Sequence, residues 1–320
     1  MRRWVTGGVI GGLLLVCAST SAMAEAPSTS TQVAIGWKLF FDPLLSRPKN
    51  ISCATCHDPA KGFGDGLRLG QGAYGHTLPR HTPSVVNLQN APHLFWDGRM
   101  QSLEDQAIVP LTNPIEMDMT PAEIVSRVDS QPHYQRAFAA IDVNDIRIDH
   151  IVGAIVAFER TLVTGPTPFD RWLQGDKKAL SAAQQRGRMI FFTRGQCAIC
   201  HIGNHFTDHA FHNIGTGTGH DLGRFAITQQ EEDRGSFKTP SLRNWKGREP
   251  FMHDGRFASM RDVLQYYSNP PEPEVGESEL DPLELDDDEI TDLLAFLETL
   301  NGTWPDLSGY ATAWEKLAGP

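Results

Sequence analysis

The sequence has no hydrophobic segment long enough to cross a membrane. One shorter apolar run lies near its first residues. There, Arg2 and Arg3 are followed by an apolar run that ends at Val16, and Ala22-Met23-Ala24 supplies the small residues of a cleavage site. This run is shorter than the roughly 20 residues that a spanning helix needs. We therefore predict a cleaved signal peptide over residues 1–24, a periplasmic location and no membrane anchor.

Basic residues are also in short supply. The chain has 28 Lys and Arg against 39 Asp and Glu, which gives a formal net charge of -11 at pH 7. An excess of negative charge repels phosphate backbones, and the sequence shows no basic stretch with interleaved aromatic residues. Nucleic acid is therefore not expected as a partner. The hydrophobic content of 40% is that of an ordinary globular protein with a core.

Cysteine is scarce, and its distribution is informative. Of five cysteines, Cys17 lies in the predicted leader, and the other four form Cys53-Ala54-Thr55-Cys56-His57 and Cys197-Ala198-Ile199-Cys200-His201. This spacing allows both thiols to bond to the vinyl groups of one haem while the imidazole reaches its iron. A single copy would also suit a redox dithiol or a zinc site. Two complete copies favour two covalently bound c-type haems, with iron ligands His57 and His201, and leave no cysteine for a structural disulfide.

Strand-like alternation is absent as well, and the fold is predicted to be all-α. Apolar residues recur at helical spacing over residues 32–41, 149–162 and 289–300. Capping residues start three further helices, at Thr120 with Glu123, Ser181 with Gln184, and Ser259 with Asp262.

The two halves of the chain repeat more than the cysteine motif. Thr82-Pro83-Ser84 matches Thr239-Pro240-Ser241, and Asp97-Gly98-Arg99 matches Asp254-Gly255-Arg256 at the same spacing. Equal spacing over so many residues indicates an internal duplication.

We therefore predict two cytochrome c-like haem domains, over residues 25–175 and 176–320. The duplication aligns Trp96 with His253. It also places the residues that face each iron's sixth position after the Asp-Gly-Arg motif: Gln106 to Met119 in the first half, and Ser259 to Ser268 in the second.

Five motifs in order, SCATCHDP, FWDGR, NPIEM, TPSLRN and FMHDGR, resemble those of the bacterial dihaem cytochrome c peroxidase and MauG superfamily. The resemblance implies that the first haem meets hydrogen peroxide and that the second transfers or stores electrons. It places the family's distal glutamate at Glu116, its glutamine and proline at Gln106 and Pro110, and its electron-relaying tryptophan at Trp96.

Two departures from the peroxidase pattern look like MauG. Tyr267 stands where peroxidases carry a methionine ligand, which implies that Tyr267 binds the second iron opposite His201. Ala73 aligns with the histidine that blocks the first iron in classical peroxidases, although His76 lies nearby. The family's interdomain calcium site uses an asparagine, for which this chain has His81, while Pro250 retains a backbone carbonyl. Calcium is therefore left open.

The resemblance implies a MauG-like enzyme in which peroxide-derived high-valent haem oxidises a protein substrate. That substrate would be the small-subunit precursor of methylamine dehydrogenase, during maturation of tryptophan tryptophylquinone. The alternative is a cytochrome c peroxidase that reduces hydrogen peroxide with electrons from a small cytochrome or cupredoxin. A pure electron carrier is disfavoured, since it would cap both irons and have no use for Glu116.

Several residues also have ordinary structural interpretations. Taken alone, Glu116 would be a surface glutamate, Trp96 and Tyr267 core aromatic residues, and His253 a packing residue. The acidic stretch between Glu272 and Glu289 is interpreted as an exposed loop. The cluster of His205, His209, His212 and His220 fits no zinc spacing well.

Overall fold

The computed structural model describes residues 27–319, so the predicted signal peptide lies outside the described residues. The described chain is mostly helical, as predicted, with one two-stranded sheet. The helices are α1 (Pro27–Phe41), α2 (Cys53–Cys56), α3 (Leu103–Thr112), α4 (Pro121–Asp129), α5 (Pro132–Ala139), α6 (Ile148–Glu159), α7 (Pro168–Leu173), α8 (Ala182–Phe192), α9 (Phe225–Thr228), α10 (Met260–Ser268), α11 (Asp287–Glu298) and α12 (Ser308–Ala318). Strands β1 (Phe211–His212) and β2 (Phe237–Lys238) pair antiparallel.

Local capping chemistry sets the helix starts that the sequence predicts. Thr120, Ser181 and Ser259 each accept a hydrogen bond from the backbone N–H three residues later, and so begin α4, α8 and α10. Between residues 27 and 319, no helix is both long and apolar enough to span a bilayer.

The first core forms where α1 packs against α6. Phe40 meets Phe158 with ring centroids 5.2 Å apart. The two helices approach closely at Gly36, where a Cβ would lie only 1.8 Å from the carbonyl oxygen of Ala154. Any larger residue at position 36 would therefore force these helices apart.

A second core forms where α8 packs against α11. Phe191 and Phe296 are both fully buried, and their ring centroids lie 5.2 Å apart. Gly187 allows the same kind of close approach, since a Cβ there would lie 1.8 Å from the carbonyl oxygen of Asp292.

The helix α12 returns to the first core instead of extending the second. Trp314 of α12 packs against Tyr134, with ring centroids 5.3 Å apart, and Tyr310 packs against Phe158 at 5.5 Å. The carbonyl of Ala318 accepts a hydrogen bond from Arg136. The predicted domain 176–320 therefore contains a segment whose packing belongs with the first core.

Two matching turns follow the repeated Thr-Pro-Ser motifs. Leu94 bridges to Met100 in one, and Phe251 bridges to Phe257 in the other. Within them, Gly98 and Gly255 have φ values of 66° and 61°, a region that glycine enters without steric cost. These turns place Trp96 and His253 at corresponding positions.

Candidate haem sites

Each Cys-x-x-Cys-His motif orients its histidine in the same way. His57 Nδ1 lies 3.2 Å from the carbonyl oxygen of Phe63, and His201 Nδ1 lies 2.9 Å from that of Phe206. A carbonyl can only accept, so Nδ1 carries the proton and Nε2 is left as a ligand atom. Burial lowers the pKa of both imidazoles, which keeps them in the neutral form that binds iron.

A cavity of about 790 Å³ opens beside the first motif, and we call it the first cavity. Its wall contains Cys53, Cys56 and His57, together with every residue predicted for peroxide chemistry: Trp96, Gln106, Pro110 and Glu116. The size, the two thiols and the oriented imidazole all suit a covalently bound haem.

Gln106 and Pro110 reach the first cavity because they lie four residues apart on one face of α3. The proline also shapes the segment after α3, since its carbonyl accepts a hydrogen bond from Met117 N at 3.1 Å. This bond folds the segment back toward the cavity and brings Glu116 to the wall.

Glu116 is held by contacts that the sequence did not predict. Asn113 Nδ2 donates to Glu116 Oε1 at 2.7 Å, and Ala73 N donates to the Glu116 carbonyl at 2.6 Å. Burial raises the pKa of Glu116, although the Asn113 hydrogen bond and the charge of Arg99 oppose this shift. A carboxyl group with a raised pKa, beside a cavity, can both take up and release a proton.

Trp96 lines the first cavity and also a second one of about 350 Å³. Its indole Nε1 donates to the carbonyl of His81 at 2.9 Å, while His81 N donates to the carbonyl of His253 at 2.7 Å. The His253 ring stacks on Phe237, with centroids 3.6 Å apart, as a packing residue would. Trp96 is therefore fixed between the two cavities.

The second cavity is lined by Cys197, Cys200 and His201, and by residues of α10. Tyr267 of α10 lies in this wall, and its hydroxyl has no hydrogen bond among the described residues. Burial, followed by the nearby Cys197 and Cys200 sulfurs, raises the pKa of Tyr267. A phenolate here would need a cation beside it, such as a ferric iron.

Met260 also lines the second cavity. It begins α10, two turns before Tyr267, and is almost fully buried. From the sequence alone, Met260 is expected to lie too near the start of α10 for its side chain to face this haem. In the structure, both the Tyr267 phenol and the Met260 thioether lie in the wall of the second cavity.

The residues at the implied calcium site do not fit that ion. His81 Nδ1 lies 2.9 Å from the carbonyl oxygen of Leu67, so it carries a proton, and only a ring nitrogen remains to be offered. Calcium takes oxygen ligands, usually six to eight of them. The carbonyl of Pro250 alone does not replace the missing asparagine oxygen, and the buried cation Arg248 lies two residues away.

A buried ion-pair network lies beside the first cavity, and the sequence alone does not indicate it. Arg80 binds Asp97 and Asp221, each at 2.7 Å, and Arg99 binds Asp97 at 2.8 Å. Burial alone would raise the pKa of Asp221, but Arg80 lowers it. Arg80 and Asp221 are 141 residues apart, so no local pattern could indicate the pair.

One histidine of the cluster, His212, meets the acidic loop at the second cavity. His212 is bracketed by Asp208 at 2.9 Å and by Glu279 at 2.6 Å. Cys200, Asp208 and His212 form one possible ligand group among the described residues, but Cys200 is already assigned to haem attachment.

The acidic stretch lacks regular structure up to α11, as expected. However, Glu279, Leu280 and Leu283 close one side of the cavity, so it is more than an exposed loop.

Glu159, the last residue of α6, is a buried carboxyl group in the wall of the first cavity. It is 7% exposed, and its Oε2 is buried with no hydrogen-bond partner. Burial, and then the charge of Glu104, raises the pKa of Glu159 to about 8, while Arg160 opposes the shift. The folded protein therefore holds this carboxyl protonated at neutral pH.

We expect Glu159 to make stability fall with rising pH. Its pKa is near 4.5 in an unfolded chain and about 8 in the folded one, so the folded state binds the extra proton between these values. The stabilisation is complete below pH 4.5 and is lost as the pH approaches 8. Glu159→Gln should lose this slope, so that its free energy of unfolding rises by about 3 kcal/mol relative to that of the parent between pH 5 and pH 8. Urea unfolding followed by circular dichroism at pH 5, 6.5 and 8 measures the free energy of unfolding of both proteins.

The control for this prediction is Glu104→Gln, which removes a half-exposed carboxylate that pairs with Arg160. Its stability should keep most of the fall with pH that the parent shows, slightly reduced, because burial raises the pKa of Glu159 more than the charge of Glu104 does. Parallel pH profiles for the parent and Glu159→Gln would contradict the prediction.

Comparison with known proteins agrees with this geometry. A family model described as di-haem cytochrome c peroxidase matches residues 30–178. The chain is 44% identical to the methylamine utilization protein MauG of Methylorubrum extorquens, over 86% of this chain and 79% of the relative. It is 35% identical to the cytochrome c551 peroxidase of Nitrosomonas europaea, over 88% of this chain and 84% of the relative.

Among solved structures, the fold matches that of a MauG-like protein associated with microbial copper homeostasis. The TM-score is 0.78 at 32% identity, covering 85% of this chain and 89% of that one. The chain belongs to the dihaem cytochrome c peroxidase and MauG family. It is thus a haem-dependent oxidoreductase, as the sequence motifs predicted.

Proposed function

We propose that the chain is a MauG-like enzyme that uses oxidising equivalents from hydrogen peroxide to oxidise a protein substrate. The observation that carries the proposal is Tyr267 in the wall of the second cavity, where a peroxidase would present a methionine. Ala73 beside Glu116 supports it, because alanine offers no ligand that would close the first iron to peroxide.

We further propose that both haems are attached covalently, through Cys53 and Cys56 in the first cavity and Cys197 and Cys200 in the second. His57, His201 and Tyr267 would be iron ligands. We also propose that the chain consists of two duplicated domains, residues 25–175 and 176–320. The two matching turns, and the matching caps of α3 and α10 at Ser102 and Ser259, support this duplication. A calcium ion forms no part of the proposal.

The haems would supply iron that accepts peroxide and stores oxidising equivalents, and the chain would control protons and access. Glu116 would take a proton from one peroxide oxygen and return it to the other, which would leave as water. Asn113 holds the carboxyl in place for this transfer. Gln106 and Pro110 form the wall that orients peroxide, and Trp96 passes electrons between the two cavities.

The proposed substrate is the small-subunit precursor of methylamine dehydrogenase, whose tryptophan tryptophylquinone would be completed by oxidation. The name of the Methylorubrum relative, a methylamine utilization protein, supports this choice. The signal peptide over residues 1–24 would deliver the enzyme to the periplasm, where a small redox carrier could also exchange electrons with it.

A second candidate function is that of a cytochrome c peroxidase, which consumes peroxide with electrons from a small cytochrome or cupredoxin. Met260 in the second cavity and the 35% identity to a cytochrome c551 peroxidase favour it. The two candidates differ in which side chain faces the second iron and in whether the protein must first be reduced.

The deciding experiment adds one equivalent of peroxide to the fully oxidised protein, without reductant. We expect both haem spectra to change at once, to persist for minutes, and to be restored by the protein substrate much faster than by reduced cytochrome. A protein that reacts only after partial reduction, and then oxidises cytochrome rapidly, would be a peroxidase instead.

Trp96 provides a test of electron transfer between the cavities. We expect Trp96→Phe to react with peroxide normally at the first haem, while oxidation of the second haem slows at least tenfold. The reason is that Trp96 is a redox-active side chain in the walls of both cavities. Stopped-flow spectra of the two haems measure the two rates separately.

Trp245→Phe is the matched control, since Trp245 lines only the second cavity and donates its indole N–H to the Leu297 carbonyl at 2.8 Å. It should leave both rates close to those of the parent. Oxidation of the second haem at the parental rate in Trp96→Phe would show that another route suffices.

A further inference from the structure

The second cavity contains two cations that form no ion pair with a carboxylate of residues 27–319. The Arg248 guanidinium lies 5.7 Å from the centroid of the Trp304 ring, which supplies no counter-charge. Lys238 of β2 and Arg248 are the lysine and arginine among its lining residues. The Lys238 amine makes no hydrogen bond or ion pair within residues 31–319. Arg248 Nε and Nη2 are buried without a hydrogen-bond partner. A buried charge that lacks a counter-charge is strongly disfavoured, so both side chains indicate an anion.

The first cavity shows that unpaired cations are not a general property of this fold. Its two arginines, Arg80 and Arg99, are both satisfied by carboxylates of the chain, at Asp97 and Asp221. The second cavity has two acidic lining residues, Glu279 and Asp281. Glu279 is already bound to His212 and to the backbone N–H of Asn213, and Asp281 forms no ion pair with Lys238 or Arg248.

Both cations lie on the side of the second cavity that borders the N-terminal half. The Lys238 backbone N–H donates to the carbonyl of Trp96 at 2.8 Å. A Cβ at Gly62 would lie 3.0 Å from Arg248 Cγ. Cys197 and Cys200 come from a different segment, after α8. In a c-type haem the cysteines bond to the vinyl edge, and the two propionate carboxylates leave from the opposite edge.

We propose that Lys238 and Arg248 bind the two propionates of the second haem, one cation to each carboxylate. This inference rests on the proposed haem at Cys197 and Cys200. Charge supports it: two unpaired cations match two carboxylates, and each buried pair would be neutral. Without a carboxylate, burial lowers the pKa of Lys238 to about 8, with Asp208 opposing, and that of Arg248 to about 10.

The same assignment explains the poor fit to calcium. A propionate that is paired with Arg248, two residues before Pro250, is no longer free to attract a divalent cation there. Arg248 would then supply, from within the chain, positive charge at the boundary between the two halves.

The test is a redox titration of the second haem, followed by its absorption spectrum, in Lys238→Met and Arg248→Met. Removing a buried positive charge favours the ferric haem. At a fixed potential the ferric-to-ferrous ratio should rise at least about tenfold, a fall of about 59 mV or more for a one-electron couple. Lys238→Arg and Arg248→Lys keep the charge and should shift the ratio by less than about threefold.

Lys246→Met is the matched control, because it removes the same charge from an exposed side chain that pairs with Glu298. It should leave the ratio near that of the parent. An unchanged ratio in both Met variants, or an equal shift at both haems, would overturn the assignment. If a Met variant does not retain its haem, Lys238→Gln and Arg248→Gln decide by the same criterion.

Failure of this inference differs from failure of the proposed function. The mass of the parent protein shows whether the second haem is attached. A parent without that haem would refute the proposed function, whereas an attached haem with an unmoved potential would refute only the roles of Lys238 and Arg248.

Discussion

Glu116→Gln is expected to keep both haems and to react with hydrogen peroxide at least about a hundredfold more slowly than the parent. The reason is chemical: glutamine can accept the Asn113 hydrogen bond, but it cannot carry a proton from one peroxide oxygen to the other. The side chain remains the same size, so the cavity wall should keep its shape. Stopped-flow absorption of the oxidised protein mixed with peroxide gives the rate.

Glu104→Gln is the matched control for this variant. Glu104 lies in the first turn of α3, the helix that carries Gln106 and Pro110, but it is half-exposed and pairs with Arg160. Its reaction with peroxide should match that of the parent. A parental rate in Glu116→Gln would remove Glu116 from the mechanism and leave peroxide activation to another group.

Replacing Tyr267 should change the second haem more than any other single substitution in its cavity. Tyr267→Phe removes the proposed oxygen ligand, so the ferric haem should become high-spin in paramagnetic resonance. Tyr267→Met should raise the midpoint potential by about 100 mV or more, because axial ligands set haem potentials over a wide range. A phenolate stabilises high oxidation states of iron, whereas a thioether favours the reduced form.

Two controls separate the candidate ligands. Tyr266→Phe alters the adjacent tyrosine, whose hydroxyl donates to the Ile214 carbonyl at 2.7 Å, and should leave the spectra unchanged. Met260→Leu removes the thioether in the same wall. If Met260→Leu changes the ligand signature and Tyr267→Phe does not, the second haem has a methionine ligand and the peroxidase function is favoured.

Local features of this protein were predictable because their causes are local. The starts of α4, α8 and α10 follow from a capping residue and its partner three positions on. The cysteine motifs carry their own chemistry, and each one brings its histidine to a cavity. Equal spacing in the two halves predicted a corresponding place for Trp96 and His253, and both residues line both cavities.

Other features depend on residues that meet only after folding. Arg80 and Asp221 pair across 141 positions, and the unpaired state of Arg248 is visible only once its surroundings are known. The strands β1 and β2 have two residues each, too few for alternation to show. Asn113 was visible beside Glu116 in the sequence, but its hydrogen bond depends on the turn after α3.

The return of α12 to the first core has a consequence for how the protein is made. Synthesis of the first core begins with α1, yet Trp314 and Tyr310, which complete one of its sides, are made only after both cysteine motifs. The first half therefore cannot finish folding while the rest of the chain is still being synthesised. The haem attachment proposed at Cys53 and Cys56 could thus occur on a chain whose first core is still open, and completion of α12 would then close that core around α1 and α5.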